Sequence, residues 1–446
     1  MFAWCEIMHP FMRFRNRVLT GLFLLSILTY LDRVCIAVAA GPMQRELHLG
    51  PTEWGWVLGV FTISYALFEI PTGSMGDRLG GRRILTRIVL WWSAFTALTG
   101  MITRFWTLLL VRFLFGAGEA GAFPNISAVV SRWFPERERG RAIGATWMAS
   151  RIGGALAPLI VVPLNTHFGW RVSFFLLGGI GLFWVAGWYA LYRDHPKLMK
   201  GVSEKELAEI GDTPEVAREH RLPWKIAGRS LNFWLILLMY HTYCWGSYFY
   251  ISWMPAYLVQ GRGFTPGQMA YWAMLPFLIA SFCDLGGGWL SDYLCGKIGL
   301  KWGRRLIGGG GLLAGGVFLM LMAATTNPVV AGIFLAVSYG CQDSMLPVSW
   351  AVCMDVGGKH AGGISASMNM AGQVGSFVSS VAFGYAVSYL QHHHFSVYQQ
   401  FNLPIYPLAA MLIVSGLLFL RIDPTVSVVA DAHRHDPDPA QMLNPA

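Results

Sequence analysis

Asp32 and Arg33 stand side by side in one long apolar stretch, and Arg112 and Glu119 stand seven residues apart in another. An ionisable side chain at bilayer depth is costly, so it faces a water-filled cavity or a partner. Seven residues are close to two helical turns, which puts Arg112 and Glu119 on one face. The guanidinium forks of Arg33 and Arg112 match a carboxylate and suit the capture of an organic anion. The carboxylates of Asp32 and Glu119 suit proton carriage. An anion reaching the arginines weakens their hold on the acids and favours acid protonation, which links anion and proton movement. The same residues have a purely structural use, Asp32 with Arg33 and Arg112 with Glu119 as neutral pairs pinning two helices.

Other ionisable groups lie in apolar stretches. Glu69, just before Pro71, reads as a gating contact. Asp343 suits either gating or proton carriage, Asp284 is a further buried acid, and His241 reads as a structural or headgroup-level histidine. The run His392 to His394 falls in an outer loop, where solvation is favoured over metal binding. The cysteines form no CxxC pair and do not gather in outer loops, so neither a disulfide framework nor a metal site is implied. No glycine-rich Lys-Ser/Thr loop marks an ATP-driven pump, and no nucleophile–base set marks an enzyme. No cofactor is expected; the proton is the expected coupling ion, with sodium left open.

The elements that hold these residues follow from composition. Hydrophobic residues make up 54% of the chain, charged residues 13%, and mean hydropathy is +0.47, which excludes a soluble domain. Runs long enough to cross roughly 30 Å of hydrocarbon recur at 17–40, 54–74, 84–102, 106–130, 142–166, 171–192, 232–258, 268–290, 304–324, 328–352, 361–388 and 402–421. These continuous runs predict an all-α polytopic membrane protein of twelve transmembrane helices, because a β-barrel would alternate over segments of about ten residues.

Lys and Arg crowd alternate loops, with Arg45, Arg104, Arg171 and Arg262 on the other side and Arg33, Arg112 and Arg151 within spans. The positive-inside bias therefore places both termini in the cytoplasm, in a plasma membrane, or the inner membrane of a Gram-negative source. The net charge of +9 is read as topology, not nucleic-acid binding. The first 16 residues lack a cleavable signal's small-residue site, so the first span is retained, with Met8 and Met12 as alternative starts. Six spans (1–192) precede a polar linker (193–231) and six follow it (232–421), with a cytoplasmic tail at 422–446. Ser203 is placed to cap a short surface helix in the linker.

A loop motif recurs in the two halves. Residues 73–83 read GSMGDRLGGRR, and Gly288 to Asp292 with Gly303, Arg304 and Arg305 echo it. Glycines let helix ends approach closely, and Asp77, Arg78, Arg82 and Asp292 are expected to gate through ion pairs between cytoplasmic ends.

The 73–83 loop resembles the signature loop of the major facilitator superfamily, with Gly81 where a basic residue is usual. YLDR at 30–33, RFLFGAGEAGAFPN at 112–125, WFPERER at 133–139, Trp350 to Asp355 and NMAG at 369–372 resemble its anion:cation symporter family, and in particular sugar-acid proton symporters such as the D-galactonate and hexuronate transporters. The resemblance covers essentially the whole chain. It implies two six-helix bundles rocking about a midplane site, with Asp32 and Glu119 coupling protons and Arg33 and Arg112 binding substrate. It also places Tyr30, Tyr65, Ser150, Trp350 and Asn369 around the substrate, as hydroxyl, aromatic and amide partners for a sugar acid. Ser150 followed by Arg151 departs from the family pattern, where an amide precedes the glycines.

The leading expectation is proton-coupled import of a small organic anion, a hexonate or hexuronate, by a monomer in the lipid bilayer. An exchanger, a symporter for an aromatic or dicarboxylic acid, and a sensor without net flux are the alternatives.

Overall fold

The computed structural model describes residues 13–199, 201–211 and 224–435. The first half comprises α1 (Phe14–Val38), α2 (Ala40–Leu47), α3 (Pro51–Thr99), α4 (Phe105–Glu119), α5 (Ala122–Trp133), α6 (Glu136–Phe168) and α7 (Trp170–Leu191). The linker holds α8 (Glu204–Ile210) and α9 (Trp224–Ala227). The second half begins with α10 (Leu231–Ser252) and α11 (Met254–Ala256), which runs into a π-turn. It continues with α12 (Pro266–Ile298), α13 (Leu300–Ala324), α14 (Pro328–Asp343), α15 (Met345–Gly357), α16 (Ala361–His392), α17 (Val397–Asn402), α18 (Ile405–Phe419) and α19 (Val428–His435).

Eight described segments are long and apolar enough to cross a membrane: Phe14–Val38, Phe105–Trp133, Glu138–Phe168, Trp170–Leu191, Pro266–Ile298, Leu300–Ala324, Pro328–Gly357 and Val397–Phe419. The other four expected segments are helical too. Two fall within α3, one in α10 and one in α16. In α3 the two runs are joined without an intervening loop and parted only at Gly80, where φ is 78° and ψ 155°. That left-handed φ favours glycine. A Cβ there would also meet the Asp194 carboxylate at 2.5 Å.

The expected fourth and tenth spans are each broken in two. α4 stops at Glu119 and α5 restarts after Gly121, whose φ is 83°. α14 stops at Asp343 and α15 starts at Met345. Pro124 and Pro347 sit in the first turn of the restarting helices. Proline is tolerated there because its missing N–H would have no intrahelical partner. The breaks therefore fall just before the prolines and directly after two buried acids.

The halves meet through α3 against α16 and α6 against α12. Small residues allow the approach: Gly55 packs on the Ser380 carbonyl and Gly384, and Gly154 on the Phe277 ring. Ser203 caps α8 as expected, its Oγ accepting from the Glu206 N–H at 3.2 Å. Glu206 then accepts from the first N–H groups of α1, Phe14 at 3.0 Å and Arg15 at 2.9 Å. The Arg15 side chain pairs with Glu209 at 2.9 Å and Glu138 at 3.4 Å. A linker helix is thereby fixed to the entry of α1, where orphan N–H groups and the helix dipole favour a carboxylate.

Candidate functional site

Three helices bring the sequence's charged residues to one place. α1 supplies Tyr30, Asp32 and Arg33, α3 supplies Phe61 and Tyr65, and α4 supplies Arg112 and Glu119. Arg33 Nε donates to Glu119 Oε1 at 2.5 Å, and both side chains are buried. The Arg33 guanidinium lies 4.8 Å from the Tyr65 ring centre and 5.3 Å from those of Tyr30 and Phe61. Arg112 rests on Phe61 and Phe115 at 5.0 and 4.9 Å. Aromatic faces hold both cations without neutralising them.

Neither pairing read along the sequence is formed. Among the described residues, Asp32 and Arg112 make no ion pair within 4 Å, and Glu119 closes on Arg33 from another helix. Adjacent residues diverge by about 100° around a helix, so Asp32 and Arg33 point apart. Arg112 and Glu119 share a face but are about 10 Å apart along it. Arg33 Nη2, Arg112 Nε and Glu119 Oε2 are buried without a hydrogen-bond partner. Two unmet cationic donors thus stand beside a carboxylate with an unmet oxygen. An anion can take the donors, and a proton can take the oxygen.

A second charged cluster spans the halves. Arg151 of α6 reaches Asp343 at the end of α14, Nε to Oδ2 2.6 Å and Nη2 to Oδ1 2.9 Å, and Asp284 of α12 at 3.4 Å. Tyr243 donates to Asp343 Oδ1 at 2.7 Å, and Arg151 Nη1 donates to Tyr339 Oη at 3.2 Å and to Tyr30 Oη at 3.5 Å. The Tyr30 ring is the joint between the clusters, with Arg33 5.3 Å and Arg151 5.6 Å from its centre. The sequence marks Asp284 and Asp343 singly, and Arg151 as an arginine within a span that departs from the family pattern, without pairing them. A lone arginine in one half and two lone acids in the other were the available signal, but partners 133 and 192 residues apart cannot be matched by spacing.

The major facilitator superfamily model matches residues 22–380, most of the chain. The chain belongs to the major facilitator superfamily. It is a multi-pass membrane transporter, not an enzyme. It is 32% identical over 419 residues to a protein named probable sulfoacetate transporter in Cupriavidus necator, covering 93% of this chain and 95% of that one. It is 29% identical over 374 residues to the hexuronate transporter of Bacillus subtilis, covering 82% and 84%. A bacterial homolog of the human lysosomal transporter Spinster, solved inward-facing and unoccupied, shares the fold with a TM-score of 0.75 at 19% identity, covering 97% and 99%.

The other expected site residues of this facilitator occupy varied places. Tyr65 lies under Arg33, and Trp350 faces Trp147 at 6.1 Å across the halves, with its indole N–H buried and unpartnered. Ser150 turns back on its own helix, donating to the Thr146 carbonyl at 3.0 Å. It is Arg151, one position on, that points to the centre. Asn369 Nδ2 donates to Glu69 Oε1 at 2.6 Å, which ties α16 to α3. His241 bonds the Ala371 carbonyl through Nδ1 at 3.0 Å, linking α10 to α16.

In the signature loop, the side chains of Asp77 and Arg78 lie outside the described residues. Arg82 stays within its own half, donating to the Tyr189 carbonyl and, through its N–H, to Asp194 at 3.0 Å. Asp292 pairs with Arg304 at 2.7 Å, and Arg304 also reaches Asp355 at 3.0 Å. These contacts brace each half internally rather than joining the two loops.

Proposed function

We propose that this facilitator imports a small organic anion, a hexonate or hexuronate first, in symport with protons. Arg33 and Arg112 orient the carboxylate, Tyr30 and Tyr65 border it, and Glu119 accepts the proton, with Asp32 as a second acid. The carrying observation is the buried Arg33–Glu119 pair beside an arginine with no ion-pair partner among the described residues. An anion competing for Arg33 releases Glu119, which then takes a proton, so anion and proton load together. The bundles at 1–192 and 232–421 rock about this site as a monomer, with both termini cytoplasmic in the cell membrane. Likeness to a hexuronate transporter supports the substrate class.

A short dianion is the second reading, favoured by likeness to a protein named for sulfoacetate. The test is uptake of radiolabelled hexonates, hexuronates, sulfoacetate and dicarboxylates into proteoliposomes, with and without an inward proton gradient. Gradient-stimulated uptake of a hexonate or hexuronate that Arg33→Ala abolishes is the expected result. If only sulfoacetate moves, the second reading stands. If nothing moves, or movement ignores both gradient and Arg33, both readings fall.

A further inference from the structure

Two carboxylates meet one guanidinium in the cluster that joins the halves. Asp343 has two charge contacts with Arg151 and accepts from the Tyr243 phenol, both hydrogen bonds falling on Oδ1, while its Oδ2 meets Arg151 Nε only as an ion-pair contact. Asp284 has one long contact, 3.4 Å to the same Arg151 Nε, and its Oδ1 has no hydrogen-bond partner although the residue is only 7% exposed. Among the described residues, the other ionisable groups around the pair are the phenols of Tyr30 (α1), Tyr240, Tyr243 and Tyr250 (α10) and Tyr339 (α14), and the thiols of Cys244 (α10), Cys283 (α12) and Cys341 (α14). Phenols and thiols of this kind are uncharged near neutral pH. A single positive charge therefore faces two acids inside the protein.

Like charges sharing a buried site do not both ionise readily, and an uncompensated charge at this depth is costly. A proton on one acid removes that charge. We propose that Asp284 and Asp343 form a proton-binding site in the second half of the molecule. It holds one proton while Arg151 is docked and gains a second when Arg151 withdraws.

Arg151 belongs to the first half and both acids to the second, so movement between the halves alters the site's charge. When Arg151 leaves, the ionised acid takes a proton from water, carboxylate plus proton giving carboxylic acid; when it returns, that proton is released to water. The site lies apart from Glu119 but occupies the matching place, since Asp343 and Glu119 each end the first part of a broken fourth span in their half. Use of this site in transport rests on the proton-coupled reading above, whereas the presence of the proton does not.

The test is infrared difference spectroscopy of the full-length protein in lipid nanodiscs at neutral pH without substrate, comparing wild type with single variants. Asp284→Asn and Asp343→Asn are each expected to lose a protonated-carboxyl band, because the remaining acid forms a neutral pair with Arg151. Arg151→Gln is expected to strengthen that band, because both acids then hold protons. Asp284→Glu keeps the acid and shifts the band in frequency, which supplies the test if the asparagine variants do not fold. A carboxyl band untouched by Asp284 and Asp343 substitutions, or unchanged in Arg151→Gln, overturns the proposal. Failed uptake of D-glucuronate by wild type would sink the hexuronate reading and leave this spectral result standing.

Discussion

Glu119 and Asp343 each end a helix that breaks within the fourth span of its half, and each closes on an arginine from another helix, Arg33 and Arg151. In one case the arginine comes from the same half and in the other from across the interface. Under the proposed mechanism the two acids therefore answer different events. Release of Glu119 needs a competitor for Arg33, while release of Asp343 needs the halves to move.

Glu119→Gln is expected to retain a folded protein with gradient-driven uptake reduced at least about tenfold, a barrier change of about 1.4 kcal/mol. Substrate exchange between equal concentrations across the membrane should persist, since it needs no net proton movement. Counterflow measured beside gradient-driven uptake separates the two. Equal loss of both would assign Glu119 to substrate binding or folding instead.

Arg33 and Arg112 should differ in stability although both are assigned to the anion in the proposed mechanism. Arg33→Ala leaves Glu119 buried and unpaired, which destabilises by roughly 3–5 kcal/mol. Arg112→Ala removes no ion pair and should cost about 1–2 kcal/mol through lost ring contacts. Thermal unfolding in nanodiscs reads the stability difference. Substrate titration of Arg112→Ala should show affinity weakened by about tenfold to a hundredfold, the worth of one charge-assisted contact.

Gly80→Ala is expected to destabilise by roughly 1–3 kcal/mol, because alanine is strained at a φ of 78° and its Cβ would meet the Asp194 carboxylate at 2.5 Å. Asp194→Ala should relieve the clash but not the backbone strain. A double-mutant cycle on unfolding midpoints separates the terms. Full recovery in the double variant would show that contact with Asp194, not φ, fixes the glycine.

Past the last expected span, burial alone would raise the Asp423 carboxyl, but the Lys301 ammonium at 2.7 Å and the Thr425 donors pull it down to about 2. A depressed carboxylate stabilises the fold fully above its unfolded value of about 3.9 and loses that effect as pH falls through about 2. The pair is partly exposed, 41% for Lys301 and 27% for Asp423, so its worth is under about 1 kcal/mol. Asp423→Asn should therefore lower the unfolding midpoint slightly at neutral pH, with the gap closing as pH drops from about 4 toward 2. A gap independent of pH would assign the effect to the Asn232 N–H···O contacts of this turn instead.

Much of the molecule is legible in the chain because hydrophobicity acts locally. A run of twenty apolar residues declares a helix wherever it lies, and the 73–83 motif declares its family without coordinates. The Ser203 cap is legible from the local spacing of Ser203 and Glu206, while Tyr30 and Tyr65 are expected near Arg33 only through the family resemblance.

Partnership is the part that sequence left open. Spacing offered Asp32 with Arg33 and Arg112 with Glu119, the nearest opposite charges along the chain. Packing chose Arg33 with Glu119 and joined Arg151 to Asp284 and Asp343, because helices distant in sequence bring their side chains together at angles that no single helix encodes. By itself the sequence determined that these charges lie in membrane-crossing helices, since the bilayer imposes that condition on each segment alone. Which charge neutralises which, and which acid is left short of a cation, was decided only by tertiary packing, because ion pairing depends on distances of a few ångströms between separate helices.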